Sequence, residues 1–299
     1  FCFCFDLISL GQSIILPHMK VLFVTEELRK QLFTWWDCFG RHDLPWKYYS
    51  VDFITSNSKE ALDGELDPYP IWIAEIMLQQ TQVRVMLSYW ERWMKAFPNK
   101  KVLAEAHLDQ VLLAWQGLGY YTRAHRLHAA AFQLKDSPWP RTLEGWMALP
   151  GIGRTTAGSI LSSAFNYPFP ILDGNVRRFL ARLTAFDEPQ VNMENYFWSL
   201  SNDLLDKERP RDFNQALMDF GALVCTPFNP TCQSCPFQKG CSAYSLDNVS
   251  RFPLKNKSKL LPVKVIGIAV ILNQAGDVLI DQRLDKGLLA GMWEFPGGK

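Results

Sequence analysis

Leu149 to Arg178 reads LPGIGRTTAGSILSSAFNYPFPILDGNVRR, and the rest of the chain falls into place around it. The turn Pro150-Gly151-Ile152-Gly153 opens a helix at Arg154, and a proline-rich loop then leads to one carboxylate, Asp173, set before Gly174 and Asn175. A turn of this kind leaves the first backbone N–H groups of the helix unpaired, and its glycines let another backbone approach closely. Free N–H groups at the positive end of a helix make an anion site. Gly151 and Gly153 are therefore candidate contacts to a DNA phosphate, the group that positions proteins on a duplex. The carboxylate about twenty residues on is where chemistry is expected.

The chain has 299 residues, 48% hydrophobic and 20% charged, which is ordinary for a soluble globular protein of two or three domains. A formal net charge of +1 means that any basic footprint must be local. Of the seven cysteines, four crowd into residues 225 to 241, a pattern that reads as a metal or cluster site in a reducing, intracellular (cytoplasmic) setting. Residues 1–18 are apolar but lack a basic leader and a cleavage site, and they are too interrupted for a membrane span. They read as a non-native or disordered start, with no membrane role expected.

Thr25 suits a helix cap, and Leu28, Leu32, Trp35, Trp36 and Phe39 form an apolar stripe that ends at Gly40. The segment 48–66 reads as a loop. Asp67-Pro68 then starts a helix through PIWIAEIMLQQTQ, apolar nearly all round and so buried. Helical patterns follow at 83–97, 102–115, 121–135, 142–148, 154–165, 175–186, 193–205 and 211–224, and alternation suited to a strand first appears near residue 262. The first 245 residues are thus expected to be all-α. Residues 245–263 read as a linker. VKVIGIAVILN and DVLIDQRL read as two strands around Gln274-Ala275-Gly276-Asp277, the start of a β-containing domain.

Glu75 sits inside IWIAEIML, where burial disfavours its charged form and raises its pKa, as a general acid near neutrality requires. A Glu bonded to a helix end or a core arginine is the alternative. Asp173 alone could be a helix cap. Two carboxylates in different settings are, however, a known way to break a glycosidic bond. Cys225-x6-Cys232-x2-Cys235-x5-Cys241 suits a zinc ion or a [4Fe–4S] cluster, and the spacing does not choose between them. Tyr120, in the turn Gly117-Leu118-Gly119-Tyr120-Tyr121, either caps a core or is a wedge that enters a base stack. His125 and His128 have no metal-pair spacing.

Together LPGIGRTTAG, ILDGNV and the four-cysteine spacing resemble the helix-hairpin-helix DNA glycosylases with an iron–sulfur cluster, the endonuclease III superfamily. AEIMLQQTQV, GLGYYTRAHRLH, FPILDGNVRR and FNQALMDFGALVCTP resemble, within it, the adenine DNA glycosylases of the MutY kind. The resemblance implies a mainly α glycosylase fold with a six-helix barrel domain over 67–135. A cluster-bearing helical domain would be formed from 19–66 and 136–244, and an incomplete, α+β, Nudix-like domain would occupy 264–299. It implies base excision repair: removal of adenine mispaired with 8-oxoguanine or guanine in double-stranded DNA, by a monomer that flips the base out. Glu75 matches the general acid, Asp173 the carboxylate facing the oxocarbenium sugar, and Asn175 the amide that orients them. Trp46, Leu78 and Gln215 match the adenine pocket. Gln80 and Tyr120 match wedges at the lesion pair, and Thr81 and Leu118 match contacts near the oxidised guanine. The cofactor implied is a [4Fe–4S] cluster on Cys225, Cys232, Cys235 and Cys241, holding a loop with Lys239 toward the DNA; in a bacterium the protein would be found at the nucleoid.

Departures from the pattern carry information. Lys47 stands where this family commonly has arginine, and the loop at 48–66 is longer than usual. Thr155 occupies the place of the lysine of strand-cleaving relatives; a hydroxyl forms no Schiff base, so the enzyme is expected to be monofunctional. A thymine-mismatch or oxidised-pyrimidine glycosylase, a catalytically dead DNA-binding module and a Nudix hydrolase with a helical partner domain are the other readings.

Overall fold

The computed structural model describes residues 15–16, 19–20, 25–47, 64–187, 190–254, 262–284, 287 and 291–298. Most of the expected N-terminal segment 1–18 and of the long loop at 48–66, and all of residues 255–261, lie outside them. The chain divides into two compact units. Among the described residues, no helix is long and apolar enough to cross a membrane.

The first unit holds residues 1–75, 140–148 and 152–255. Its helices are α1 (Thr25–Phe39), most of α2 (Pro68–Leu78), α7 (Leu143–Met147), α8 (Arg154–Phe165), α9 (Gly174–Thr184), α10 (Gln190–Leu204), α11 (Pro210–Leu223) and α12 (Ser242–Ser245). Leu28, Leu32 and Trp36 bury one stripe of α1 against Phe179, Leu180, Phe197, Phe213, Leu217 and Phe220. The Phe220 ring is central, 5.0 Å from Trp35, 5.0 Å from Phe179 and 4.9 Å from Phe237 between centroids. Full burial of each such ring stabilises by roughly 1.5–3 kcal/mol. Helix α11 packs on α1, α8 and α9 and so braces the helix that Asp173 caps.

The second unit holds residues 76–139, 149–151 and 256–299. Met86, Trp90, Trp93 and Met94 make the buried stripe of α3 (Val83–Ala96). Trp93 meets Trp115 edge-on at 5.6 Å. The expected helix over 102–115 is two: α4 (Lys100–Glu105) and α5 (Leu108–Trp115). The break has a local cause, since the His107 ring accepts from Asp109 N while Gln110 Oε1 accepts from His107 N, a reciprocal cap that restarts the helix. Helix α6 (Thr122–Leu134) packs on both α4 and α5.

Other expectations are corrected. A paired two-residue hairpin, β1 (Ile15–Leu16) and β2 (Met19–Lys20), precedes the helices, too short for alternation to betray it. Helix α2 stops at Leu78, so QQTQ is a turn. In the segment read as linker, Val249 and Phe252 pack on the core and the Phe252 carbonyl accepts from Arg182 Nε at 3.1 Å, while residues 245–248 and 250–251 are exposed. In the C-terminal segment β3 (Gly267–Ile268) pairs with β6 (Gly297–Gly298), and β4 (Asp281–Gln282) with β5 (Trp293–Glu294). The expected hairpin turn is present, closed by Leu272 opposite Val278 and by Asn273 Oδ1 accepting from Ala275 N and Asp277 N.

Candidate active site

Helix α8 is the platform. Thr155, Ser159 and Ser163 recur every fourth residue and so share one face, and Ser162 lies beside Ser163. Thr155 Oγ1 donates to Leu172 O at 3.1 Å, Ser159 Oγ donates to Glu75 Oε1 at 2.8 Å, and Ser163 Oγ accepts from Gln215 Nε2 at 3.1 Å. Ser162 Oγ accepts from Asn214 Nδ2 at 2.9 Å. Sequence reasoning named Thr155 and passed over Ser159, although a four-residue hydroxyl repeat on an apolar helix was a visible signal.

Glu75 retains some accessible surface, while its carboxyl is enclosed by protein. Burial pushes its pKa up to about 7; the Ser159 bond opposes this and the nearby Asp173 charge adds to it. The two carboxylates therefore share one electrostatic site within the first unit. Asp173 caps α9, its Oδ1 accepting from Val176 N at 2.7 Å and its Oδ2 from Asn175 Nδ2 at 3.1 Å. Burial raises the Asp173 pKa, against these hydrogen bonds and the charge of Arg178.

Asn175 is itself held: its Oδ1 accepts from Arg178 Nη2 at 2.9 Å. Arg178 also donates to Gly221 O and, through Nε, to Cys225 O at 2.7 Å. The approach of α11 needs Gly221, where an added Cβ would stand 2.7 Å from Asn175 Cβ and 2.9 Å from Asn175 O. Arg178 and Gly221 carried no signal in the sequence.

Trp46 is buried and Gln215 nearly so. A charged cluster ties the Trp46 segment to the helix of Gln215. Asp219, 1% exposed, accepts from Trp36 Nε1 at 3.2 Å, Arg41 Nε at 2.8 Å and Lys47 Nζ at 3.1 Å. The Lys47 ammonium also donates to Arg41 O at 2.8 Å, so its charge is spent on the scaffold. Burial holds the Lys47 pKa below the usual range; Lys47 and Arg41 hold that of Asp219 low against its own burial.

In the second unit, Leu78 and Thr81 are half-buried, Gln80 is exposed, Tyr120 is 62% exposed, and Leu118 is buried. Gly151 has φ +83°, and a Cβ there would stand 3.0 Å from Arg126 Cβ, so the turn requires glycine. Gly153, at φ −97°, is the exposed N-cap of α8.

Cys225, Cys232, Cys235 and Cys241 line one pocket, walled otherwise by Phe179, Phe220, Phe237 and neighbours. Arg182 Nη1 lies 3.5 Å from Cys225 Sγ, and Lys239 is exposed. Burial pushes the Cys235 thiol up to about 12 and raises those of Cys225 and Cys241. Among the described residues, no three His, Cys, Asp or Glu side chains converge tightly enough to chelate one ion.

Residues 73–202 match the family model of the HhH-GPD superfamily base excision DNA repair proteins. The chain is 36% identical over 270 residues to the adenine DNA glycosylase of Buchnera aphidicola subsp. Schizaphis graminum, covering 89% of this chain and 73% of that protein. The chain belongs to the adenine DNA glycosylase family. Another family member, the mouse adenine DNA glycosylase, is 36% identical over 317 residues, and the chain spans 60% of its length. Among solved structures, a thermostable thymine-DNA glycosylase superposes with a TM-score of 0.63 at 24% identity, covering 74% of this chain and 97% of that one. Endonuclease III in a non-covalent DNA complex superposes with a TM-score of 0.57 at 19% identity, covering 75% and 98%. These two share the helical fold.

Proposed function

We propose that the protein excises adenine mispaired with 8-oxoguanine or guanine in duplex DNA, hydrolysing the N-glycosidic bond of a flipped nucleotide. The observation that carries this reading is the pairing of Glu75, pKa about 7, with the helix-capping Asp173 in one site. Protonated Glu75 delivers its proton to the purine ring as the bond from the sugar to the base breaks and its electron pair moves into the base. The Asp173 carboxylate faces the oxocarbenium sugar, and water adds to that carbon to leave an abasic site. The hydrogen bonds from Val176 N and Asn175 to Asp173 favour the charged form this role needs. Trp46, Leu78 and Gln215 are each read as adenine-binding residues, Gln80 and Tyr120 as wedges at the lesion pair, Thr81 and Leu118 as contacts near the oxidised guanine, and Gly151 and Gly153 as phosphate contacts.

A hydroxyl at Thr155, already donating to Leu172 O, leaves no amine for a Schiff base, which supports a monofunctional enzyme. The residues around the cysteine pocket fit a [4Fe–4S] cluster. Four cysteine thiols line one pocket with the apolar Phe179, Phe220 and Phe237, and thiolates are the donors such clusters take. Bound, the cluster would cross-link the loop that carries Lys239. Residues 264–299 are read as part of a Nudix-like reader of 8-oxoguanine. The protein would act as a monomer in a reducing compartment that holds DNA, the cytoplasm and its nucleoid in a bacterium.

The test is single-turnover excision from duplexes with adenine opposite 8-oxoguanine, guanine or thymine. Excision confined to the first two supports the reading, and loss of it in Glu75→Gln assigns the acid. Equal excision opposite thymine, or full activity in Glu75→Gln, would overturn it.

A further inference from the structure

Gln80 and Tyr120 share an unusual backbone: φ is +59° and +46°, left-handed in residues that carry side chains. Each such residue costs roughly 1–2 kcal/mol and persists only where its surroundings over-determine it. Both side chains are exposed, so burial of the side chains does not hold the two turns. One guanidinium binds both turns, and Trp115 Nε1 adds a bond to Gly119 O at 3.0 Å. Arg123, on α6 and 8% exposed, donates from Nη1 to Ile76 O at 3.1 Å, Met77 O at 3.0 Å and Gln79 O. Its Nη2 donates to Leu118 O at 3.0 Å, Gly119 O at 3.2 Å and Thr81 Oγ1 at 3.4 Å.

Nη1 caps the open end of α2 just before Gln80, and Nη2 serves mainly the loop just before Tyr120, with one bond back to Thr81. Helix-end carbonyls need a donor, and a rigid planar fork fixes two sets of acceptors relative to each other. The Trp115 and Tyr120 rings lie over the same group, 5.1 and 5.7 Å from Cζ to centroid. All of these residues belong to the second unit.

We infer that Arg123 is a positioning residue for adenine excision, setting the spacing of Gln80 and Tyr120 so that both enter the base stack together. The inference rests on the function proposed above, in which these two residues are wedges. An ammonium in place of the fork keeps the charge but cannot serve both turns.

The experiment is a mutant cycle in the full chain, combining Arg123→Lys with the pair Gln80→Ala/Tyr120→Ala. It reads single-turnover excision opposite 8-oxoguanine and the fluorescence of 2-aminopurine at the target position. Arg123→Lys is expected to melt cooperatively and to slow excision by about 10- to 100-fold, the scale of a 1 Å misplacement, with less fluorescent base extrusion. In the Gln80→Ala/Tyr120→Ala background it should slow excision no further. Multiplying effects in that background, or unchanged 2-aminopurine fluorescence, would overturn the inference. Where Arg123→Lys melts below the assay temperature, Arg123→Gln takes its place; if neither folds, the guanidinium serves folding and the inference falls. No excision by the wild type would mark failure of the proposed function itself. An active Gln80→Ala/Tyr120→Ala pair would mark failure of the wedge assignment alone, and either result removes this inference.

Discussion

The Ser159 hydroxyl donates to Glu75 Oε1 at 2.8 Å, bridging two helices whose residues lie 84 positions apart in the chain. The bond favours the ionised carboxyl, and burial outweighs it, leaving the pKa at about 7. The acid form is the one a leaving base requires. The single-turnover excision rate should therefore fall as pH rises through about 7. Ser159→Ala removes a bond that lowers the pKa, so its alkaline limb should move to higher pH; a limb moving to lower pH would contradict the assignment.

Glu75 also makes stability depend on pH. Its folded pKa lies above the ordinary 4.5, so the native state holds the proton longer than the unfolded chain. Stability then falls as pH rises from about 4.5 to about 7 and levels off above. Glu75→Gln removes this liability while abolishing excision. Denaturant midpoints at pH 8 should show the variant more stable, by up to about 3 kcal/mol.

The Asp219 cluster works in the opposite sense. Lys47 and Arg41 hold the Asp219 pKa low, so its contribution is present above the ordinary carboxylate pKa and lost as pH falls below it. Asp219→Asn leaves the nearly buried Lys47 ammonium and the part-exposed Arg41 without their anion, and thermal unfolding at pH 7 should show a loss of about 3 kcal/mol. Because Arg41 and Lys47 flank the Trp46 segment, excision should weaken even where the variant remains folded.

Gly221→Ala tests the close approach of α11 to Asn175. An added Cβ meets Asn175 backbone and side chain at under 3 Å, so one must move. Overpacking of this kind costs about 1–3 kcal/mol. The melt should drop by that amount, and excision should fall by more than the unfolded fraction explains, since Asn175 orients Asp173.

Thr155 predicts the product. Duplex treated with the enzyme should carry intact abasic sites that break only after added alkali, and borohydride should trap no covalent complex. Strand cleavage without alkali would remove the monofunctional assignment.

By itself the sequence determined what short-range chemistry dictates. The apolar stripe of α1, the Asp67 cap and the Asp173 cap all involve residues within a few positions of each other. The four-cysteine spacing and the Gly151 turn were legible for the same reason, as were the two carboxylates, one in an apolar helix and one before Gly-Asn. Where a local device is compact, as in the His107 cap that splits 102–115, periodicity alone ran past it.

Tertiary structure alone decided the partners. Ser159 to Glu75, Arg123 to the turns at Gln80 and Tyr120, Arg178 to Asn175 and Cys225, and Lys47 to Asp219 (172 residues apart) are mostly long-range choices. A hydroxyl or guanidinium bears no local mark of the acceptor it will meet. The acceptor is chosen only when packed helices exclude water and each buried polar group must find a protein partner.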